Sequence, residues 1–323
     1  EEDLFSILLI EEPEAHLHPQ LQIRLLKYLE STARYGNVQI IVTTHSPVLA
    51  SSVSIETIVQ LVKGETPQAI ALNSCGLSDP SKAFLNRWLD ATKSTLLFAK
   101  GIILVEGIAE AMLLPELAKI VLQDNDKPPK TLEDGGVSVI NMNGIYFKHF
   151  MQLFADLNEN VSISIPVRCA GITDNDPPTD SKPIPSSPMP GTNPALKLKD
   201  IVKASEWARL YSSPLKTFEY DLAFCGNNIK IMASVLAGNW PTDGSVKSEI
   251  QKLANKEWSG ESEENKSEAA SEILARIEDT HNMGKGLFSQ LLADHIKSGT
   301  SIVVPQYISQ AIIWACGGNP DES

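Results

Sequence analysis

Five carboxylates beyond residue 100 of the chain stand where acids can share a cation. In GIILVEGIAEAMLLP, residues 101–115, an apolar strand ends at Glu106, Gly107 allows a sharp turn, and Glu110 follows in the first turn of a helix. Spacing of this kind lets both side chains point at one sheet edge. Farther on, SISIPVRCAGITDND ends in Asp174 and Asp176, and KTFEYDL offers Thr217, Glu219 and Asp221 at alternate positions of an expected strand. The carboxyl ends of strands in a parallel α/β sheet are where ligands bind, so five or six acids would converge there. Two like charges about 5 Å apart repel by roughly 3 kcal/mol at an effective dielectric near 20, and some acids would protonate rather than stay charged. A divalent ion removes the conflict, and hard oxygen ligands favour Mg²⁺, Mn²⁺ or Ca²⁺ over zinc. Each acid alone also has an ordinary use. Glu110 can complement a helix dipole, Asp174 and Asp176 can cap the loop that follows them, and Glu219 can be a solvated strand residue. DNDPPTDSKP is not an EF-hand, because Pro178 and Thr179 stand where a ligand and a glycine are required.

The elements that must carry these acids are legible around them. LLFAKGIILVEG reads as a strand, IAEAMLLPELAKIVL as a helix, VSVINM as a strand, YFKHFMQLFADL as a helix, and SISIPVRCAGITDND as a strand. Between Asp176 and Asn193 the segment is dense in Pro and Ser and reads as a long loop. A basic helix, the short strand LKTFEYDLA and helical stretches from about 225 to 296 follow. In the first part, LFSILLIEEPEAHLHPQLQIRLLKYLE reads as a buried strand, a turn and an amphipathic helix with Leu21, Leu25, Leu26 and Leu29 at helical spacing. VQIIVTTHSP is a second buried strand and ETIVQLV a third, which implies a parallel sheet. Residues 64–95 lose this rhythm and read as a connector with a short helix around AFLNRWLD.

Composition narrows the class. At 323 residues the chain exceeds what one hydrophobic core usually serves, so two domains are expected. Its 42% hydrophobic and 21% charged residues are those of a soluble globular protein. No apolar run reaches the roughly 18 to 20 residues of a membrane span, and no secretory segment follows a basic start. A cytoplasmic location without a membrane partner is therefore expected. Cys75, Cys169, Cys225 and Cys316 form no CxxC pair, which argues for reduced thiols over zinc or disulfides. A net charge of −13 weighs against a nucleic-acid partner. The segment holding Lys182, Lys197, Lys199, Lys203, Arg209 and Lys216 is nevertheless basic, with only Asp200 and Glu206 against them. DNA backbone contact and a solvated lysine face account for it equally well. The sequence opens at Glu1 in mid-pattern and reads as a piece of a longer protein.

Near the start, aliphatic residues followed by EEP offer what a Walker B strand of a nucleotide hydrolase needs: one carboxylate for a magnesium shell and a second to orient water. His45, after the next strand, stands where a switch histidine could sense a γ-phosphate, while the phosphate loop GxxxxGK[ST] does not occur. LLIEEPEAHLHP, then a helix, a strand and TTHSP, resembles the second half of an ABC-type ATPase head as found in the OLD (overcoming lysogenization defect) family. That resemblance implies Glu11 and Glu12 at the metal-binding and catalytic positions, PEAHLHP as the D-loop region and His45 as the switch histidine. It also implies ATP binding and hydrolysis in the full-length protein only. Such heads commonly carry Asp where Glu11 stands. His16 and His18 read as packing residues of the D-loop region rather than metal ligands.

A strand ending in Glu-Gly, a second strand and a third ending in Asp-x-Asp resemble the Toprim fold, and an ATPase half followed by Toprim is the order of the OLD family. The resemblance implies an α/β chain: the C-terminal part of an ABC-type ATPase sheet over 1–75, a connector over 76–95, and a Toprim Rossmann-like parallel sheet over 96–323 with a helical insertion around 225–296. It further implies a DNA endonuclease using two divalent ions, Mg²⁺ or Mn²⁺ with Ca²⁺ possible. Carried over by position, Glu106, Glu110, Asp174, Asp176 and Glu219 would hold the ions with Thr217 nearby, Glu106 and Asp174 acting with Lys285 at the scissile phosphate. In HNMGKGLFSQ, Gly284 and Gly286 would let backbone approach beside Lys285. Lys197, Lys199 and Lys203 would contact DNA, and the full-length protein would be a homodimer. The alternative is an ATP-dependent DNA clamp with a non-catalytic Toprim-like domain. Tyr146 and Tyr220 read as packing residues.

Overall fold

Aliphatic runs separated by one amphipathic helix build the start of the chain. In the computed structural model, which describes residues 6–63, 66–123, 129–155 and 163–320, β1 (Ser6–Glu11) runs parallel to the strand that follows α1 (Pro19–Tyr35), namely β2 (Val38–Thr43). Pro19 opens α1, His18 Nδ1 accepts the amide of Gln20, and Leu26 and Leu29 are buried. The strand–helix–strand order agrees with the sequence reading, but β1 is not buried: Ile7 and Leu9 are 61% and 71% exposed. Side chains project from the faces of a sheet, and α1 packs mainly against β2 rather than over β1, so the apolar side chains of β1 remain largely uncovered.

After α2 (Pro47–Ala50), β3 (Val59–Val62) does not extend this sheet as the sequence implied. It pairs antiparallel with β4 (Gln68–Ala71), from Val59 opposite Ala71 to Val62 opposite Gln68. The connection between them spans only residues 63–67, which suits a hairpin, whereas a parallel partner requires a crossover of about a dozen residues or more. The expected short helix is α3 (Asp79–Trp88), capped by Ser78.

The second part alternates strand and helix: β5 (Gly101–Val105), α4 (Ile108–Gln123), β6 (Val137–Asn141), α5 (Phe147–Met151), β7 (Arg168–Thr173), α6 (Leu196–Val202) and β8 (Ala208–Ser212). The strands form one parallel sheet in the order β6-β5-β7-β8. Every residue of β5 is buried, as an unbroken aliphatic strand covered on both faces requires. Ile103 and Val105 join a core with Leu113 and Leu117 of α4. Beyond the sheet lie α7 (Phe218–Phe224), α8 (Asn228–Asn239), α9 (Ser245–Ala254), α10 (Glu263–Glu278) and α11 (Lys285–Lys297), and α12 (Gln306–Ala315) returns to pack on β7 and β8.

One strand assignment changes. LKTFEYDLA is a turn followed by α7, and the fourth strand of the sheet, β8, lies just before it. Thr217 starts α7 as its N-cap, accepting the amide of Tyr220. All of Phe218–Ala223 is buried, so the alternation of polar and apolar residues never sorts into a wet and a dry face. Chain contacts divide the described residues into two units, 6–99 with 163–166, and 100–155 with 167–320. Leu4 and Phe5 of the first expected strand, Asp156 and Leu157 of the expected helix after Tyr146, Ser162, and residues 321–323 of the expected second domain lie outside the described residues.

Candidate active site

The parallel sheet brings its acids to one edge. Glu106 follows β5, Glu110 occupies the first turn of α4, Asp174 and Asp176 follow β7, and Glu219 lies in the first turn of α7. Glu106 Oε1 accepts three donors: the Thr173 hydroxyl, the Asp174 amide at 3.0 Å and Asn193 Nδ2 at 3.1 Å. Asp174 Oδ1 accepts the Phe218 amide at 2.7 Å, and Asp176 Oδ2 accepts Asn193 Nδ2 at 3.0 Å. Glu219 Oε2 accepts Lys285 Nζ at 3.1 Å. Each of these four acids thus commits one oxygen to the protein, and among the described residues no donor reaches the other oxygen.

Lys285 is the first residue of α11, and Gly284 before it sits at φ +80°, a backbone conformation that favours glycine. Gly286 carries no such requirement: a Cβ there would meet Ile108 Cγ2 at an ordinary 3.6 Å. Lys285 Nζ also lies 3.6 Å from Glu278 Oε1.

The electrostatics follow from burial. Glu110 is pushed up to about 7, by burial first and then by the charge of Glu219. Asp174 is held well above the usual carboxylate range by burial and then by Glu219, Glu110 and Glu106. Burial also raises Glu106 and Asp176, against the donors that bind them. Burial works to lower Lys285, but the charges of Glu219 and Asp174 outweigh it and raise it above its ordinary value. Among the described residues the buried Tyr307 hydroxyl has no hydrogen-bond partner, and after burial the charges of Asp221, Asp174, Glu110 and Glu219 raise it.

Among the described residues no three His, Cys, Asp or Glu side chains are drawn together as a ready-made metal-binding group. The donor chemistry nonetheless fits a hard cation: buried, mutually repelling carboxylates with free oxygens carry a charge that Lys285 offsets only in part.

Two residues at this edge have partners of their own. Asp221 does not join the acids, because its carboxylate accepts the amides of Leu215 and Lys216 at 3.1 and 2.9 Å and closes the turn before α7. Thr217 Oγ1 is engaged as the helix cap. Of the basic set, Lys182 pairs with Glu268, Lys216 Nζ donates to the carbonyls of Thr179 and Ser181, and Arg209 stacks on Trp314 at 4.6 Å. Lys197, Lys199 and Lys203 are exposed on or just after α6, with Lys199 Nζ also donating to Ser212 Oγ. Tyr220 is buried and donates to the Pro183 carbonyl. Sequence patterns gave no sign of Thr173, Asn193 or Tyr307, since an isolated polar side chain in a strand, loop or helix has no spacing signature.

The other acidic pair is built differently. Glu11 ends β1 and Glu12 follows at φ +42°, both exposed, with His45 Nε2 3.4 Å from Glu12 Oε1. Glu14, unremarked among the neighbouring acids, accepts the Thr44 hydroxyl and the His45 amide, and so ties the segment after β1 to the end of β2.

Comparison with known proteins matches both parts. Residues 2–50 match the AAA ATPase domain family, and residues 97–176 the Overcoming lysogenization defect protein-like TOPRIM domain. Endonuclease GajA of Bacillus cereus (strain VD045) is 28% identical over 158 residues, 48% of this chain and 25% of that protein. The OLD nuclease of Thermus scotoductus is 31% identical over 126 residues, 37% of this chain and 24% of that protein. The aligned part spans about a quarter of the length of these curated relatives. Among solved structures, the C-terminal region of the Burkholderia pseudomallei OLD protein is similar at 21% identity and a TM-score of 0.46, over 68% of this chain and 98% of that one.

Proposed function

We propose that this chain, which belongs to the OLD family through its ATPase-type segment and its Toprim domain, hydrolyses phosphodiester bonds of DNA at the acid edge of the parallel sheet. One observation carries the reading. Glu106, Glu110, Asp174 and Glu219 repel one another at a largely buried edge with free carboxylate oxygens, and Lys285 stands among them. Glu106, Glu110, Asp174, Asp176 and Glu219 would hold two divalent ions, Mg²⁺ or Mn²⁺ with Ca²⁺ as a further candidate. When bound, such a pair activates water and stabilises the leaving 3′ oxygen of an in-line displacement.

The chain's own residues do the rest. Phe218 N fixes the Asp174 carboxylate, Thr173 and Asn193 fix that of Glu106, and Asp221 holds the turn that presents Glu219. Lys285 Nζ offsets charge developing on the phosphate. Lys197, Lys199 and Lys203 give the DNA backbone a basic face beside an otherwise acidic protein. In the full-length protein, Glu11, Glu12 and His45 serve ATP in a homodimer of composite sites. The domain division at a connector over 76–95 belongs to the same proposal.

Supercoiled plasmid incubated with the chain in Mg²⁺, Mn²⁺, Ca²⁺ or EDTA tests the reading. Nicking or linearisation that requires a metal is expected. Intact plasmid under every ion would instead favour a DNA clamp whose Toprim-like domain does no chemistry.

A further inference from the structure

Asn193 closes the Pro-rich loop in a way that reaches the acids directly. The residue is 4% exposed. Nδ2 donates to both Glu106 Oε1 and Asp176 Oδ2, while Oδ1 accepts the Ala195 amide at 2.9 Å. Those three contacts define the orientation of the amide, because the oxygen faces an N–H and the nitrogen faces two carboxylates. A neutral donor has a particular merit here. It orders two acids without cancelling the charge a cation would need, as a lysine in the same place would.

The loop is built to deliver this residue. At its base, Thr192 N donates to the carbonyls of Asn175 and Asp176 at 3.1 Å, and Thr192 Oγ1 to that of Asp176 at 2.6 Å. Gly191 passes so close that a Cβ would lie 2.1 Å from Asn175 Oδ1 and 2.2 Å from its carbonyl oxygen. At its far end, Ser186 donates through N and Oγ to Glu263 Oε2 of α10, and Ser267 Oγ donates to the Lys182 carbonyl.

We infer that Asn193 is a positioning residue: its amide holds one oxygen each of Glu106 and Asp176 so that their remaining oxygens face a shared divalent cation. The inference rests on the metal-binding reading proposed above. Ligands ordered by outer hydrogen-bond partners typically lose about 10- to 100-fold in metal affinity when such a partner is removed.

Titration calorimetry of Mn²⁺ alone into the whole chain separates the outcomes, with circular dichroism and a thermal melt to follow folding. Asn193→Ala and the similarly sized Asn193→Leu are each expected to bind Mn²⁺ roughly 10- to 100-fold more weakly while remaining folded. Ser186→Ala, which loosens the loop from α10 without touching the acids, is expected to stay within about twofold of wild type by the same reasoning. Wild-type affinity in both Asn193 variants, alongside loss of binding in Glu106→Ala, overturns the role of Asn193 and leaves the metal reading standing. Loss of folding in both variants makes Asn193 a structural residue and also overturns it. No uptake of Mn²⁺ by the wild-type chain removes the metal reading and the inference together.

Discussion

Two sets of acids stand at the ends of parallel strands in this chain, and they differ in what surrounds them. Glu11 and Glu12 leave β1 into solvent, with His45 as a neighbour of Glu12. Glu106 and Asp174 follow their strands and Glu110 and Glu219 open their helices at a largely buried sheet edge, where burial and mutual repulsion raise Glu106, Glu110 and Asp174. The same local arrangement, an aliphatic strand running into carboxylates, is electrostatically undemanding in water. Once water is removed, the same acids must take up protons or a cation.

The difference is sharpest in activity. Glu106→Ala or Lys285→Ala should lower metal-dependent plasmid nicking by roughly 100- to 1000-fold, the range seen on removing one charge-stabilising group. Nicking retained in both variants would detach catalysis from the buried set.

Stability against pH gives the next effect. Glu110 moves from 4.5 to about 7 on folding, so the folded state prefers the protonated acid. This contribution is full below pH 4.5 and is lost as pH rises through about 7. At about 1.4 kcal/mol per pH unit it amounts to roughly 3 kcal/mol. In EDTA, Glu110→Gln should therefore unfold at higher urea than wild type at pH 8, with the gap closing towards pH 4. An equal gap at both pH values would mean that Glu110 is not buried as a charge.

Smaller changes probe the elements that hold each set. Thr217→Val removes the N-cap of α7 and should cost about 1 kcal/mol in urea unfolding. A negligible loss would return Thr217 to the status of a free ligand. Glu12→Gln, in the exposed set, should change stability by less than about 0.5 kcal/mol. A larger change would show that the exposed pair is under electrostatic tension after all.

Much of this was readable in the residues. The parallel α/β order of the second unit, the placement of Glu106 and Glu110 around a Gly turn, and the Asp pair after β7 follow from aliphatic runs that end abruptly in acids. The third expected strand of the first sheet failed because a strand of four residues pairs as readily in a hairpin as in a parallel sheet, and the short connection over 63–67 chose the hairpin. KTFEYDL failed because a helix buried all round has no period to read.

The sequence by itself determined which strands end in carboxylates and where the chain turns, because hydrophobic runs, Gly, Pro and charge are local properties. Only the tertiary structure decided which acids would be buried together, that Asp221 would bind amides instead, and that Thr173 and Asn193 would hold Glu106 across 67 and 87 residues of chain. Burial and hydrogen-bond partnership depend on segments far apart in the chain, and their energies arise only when those segments meet.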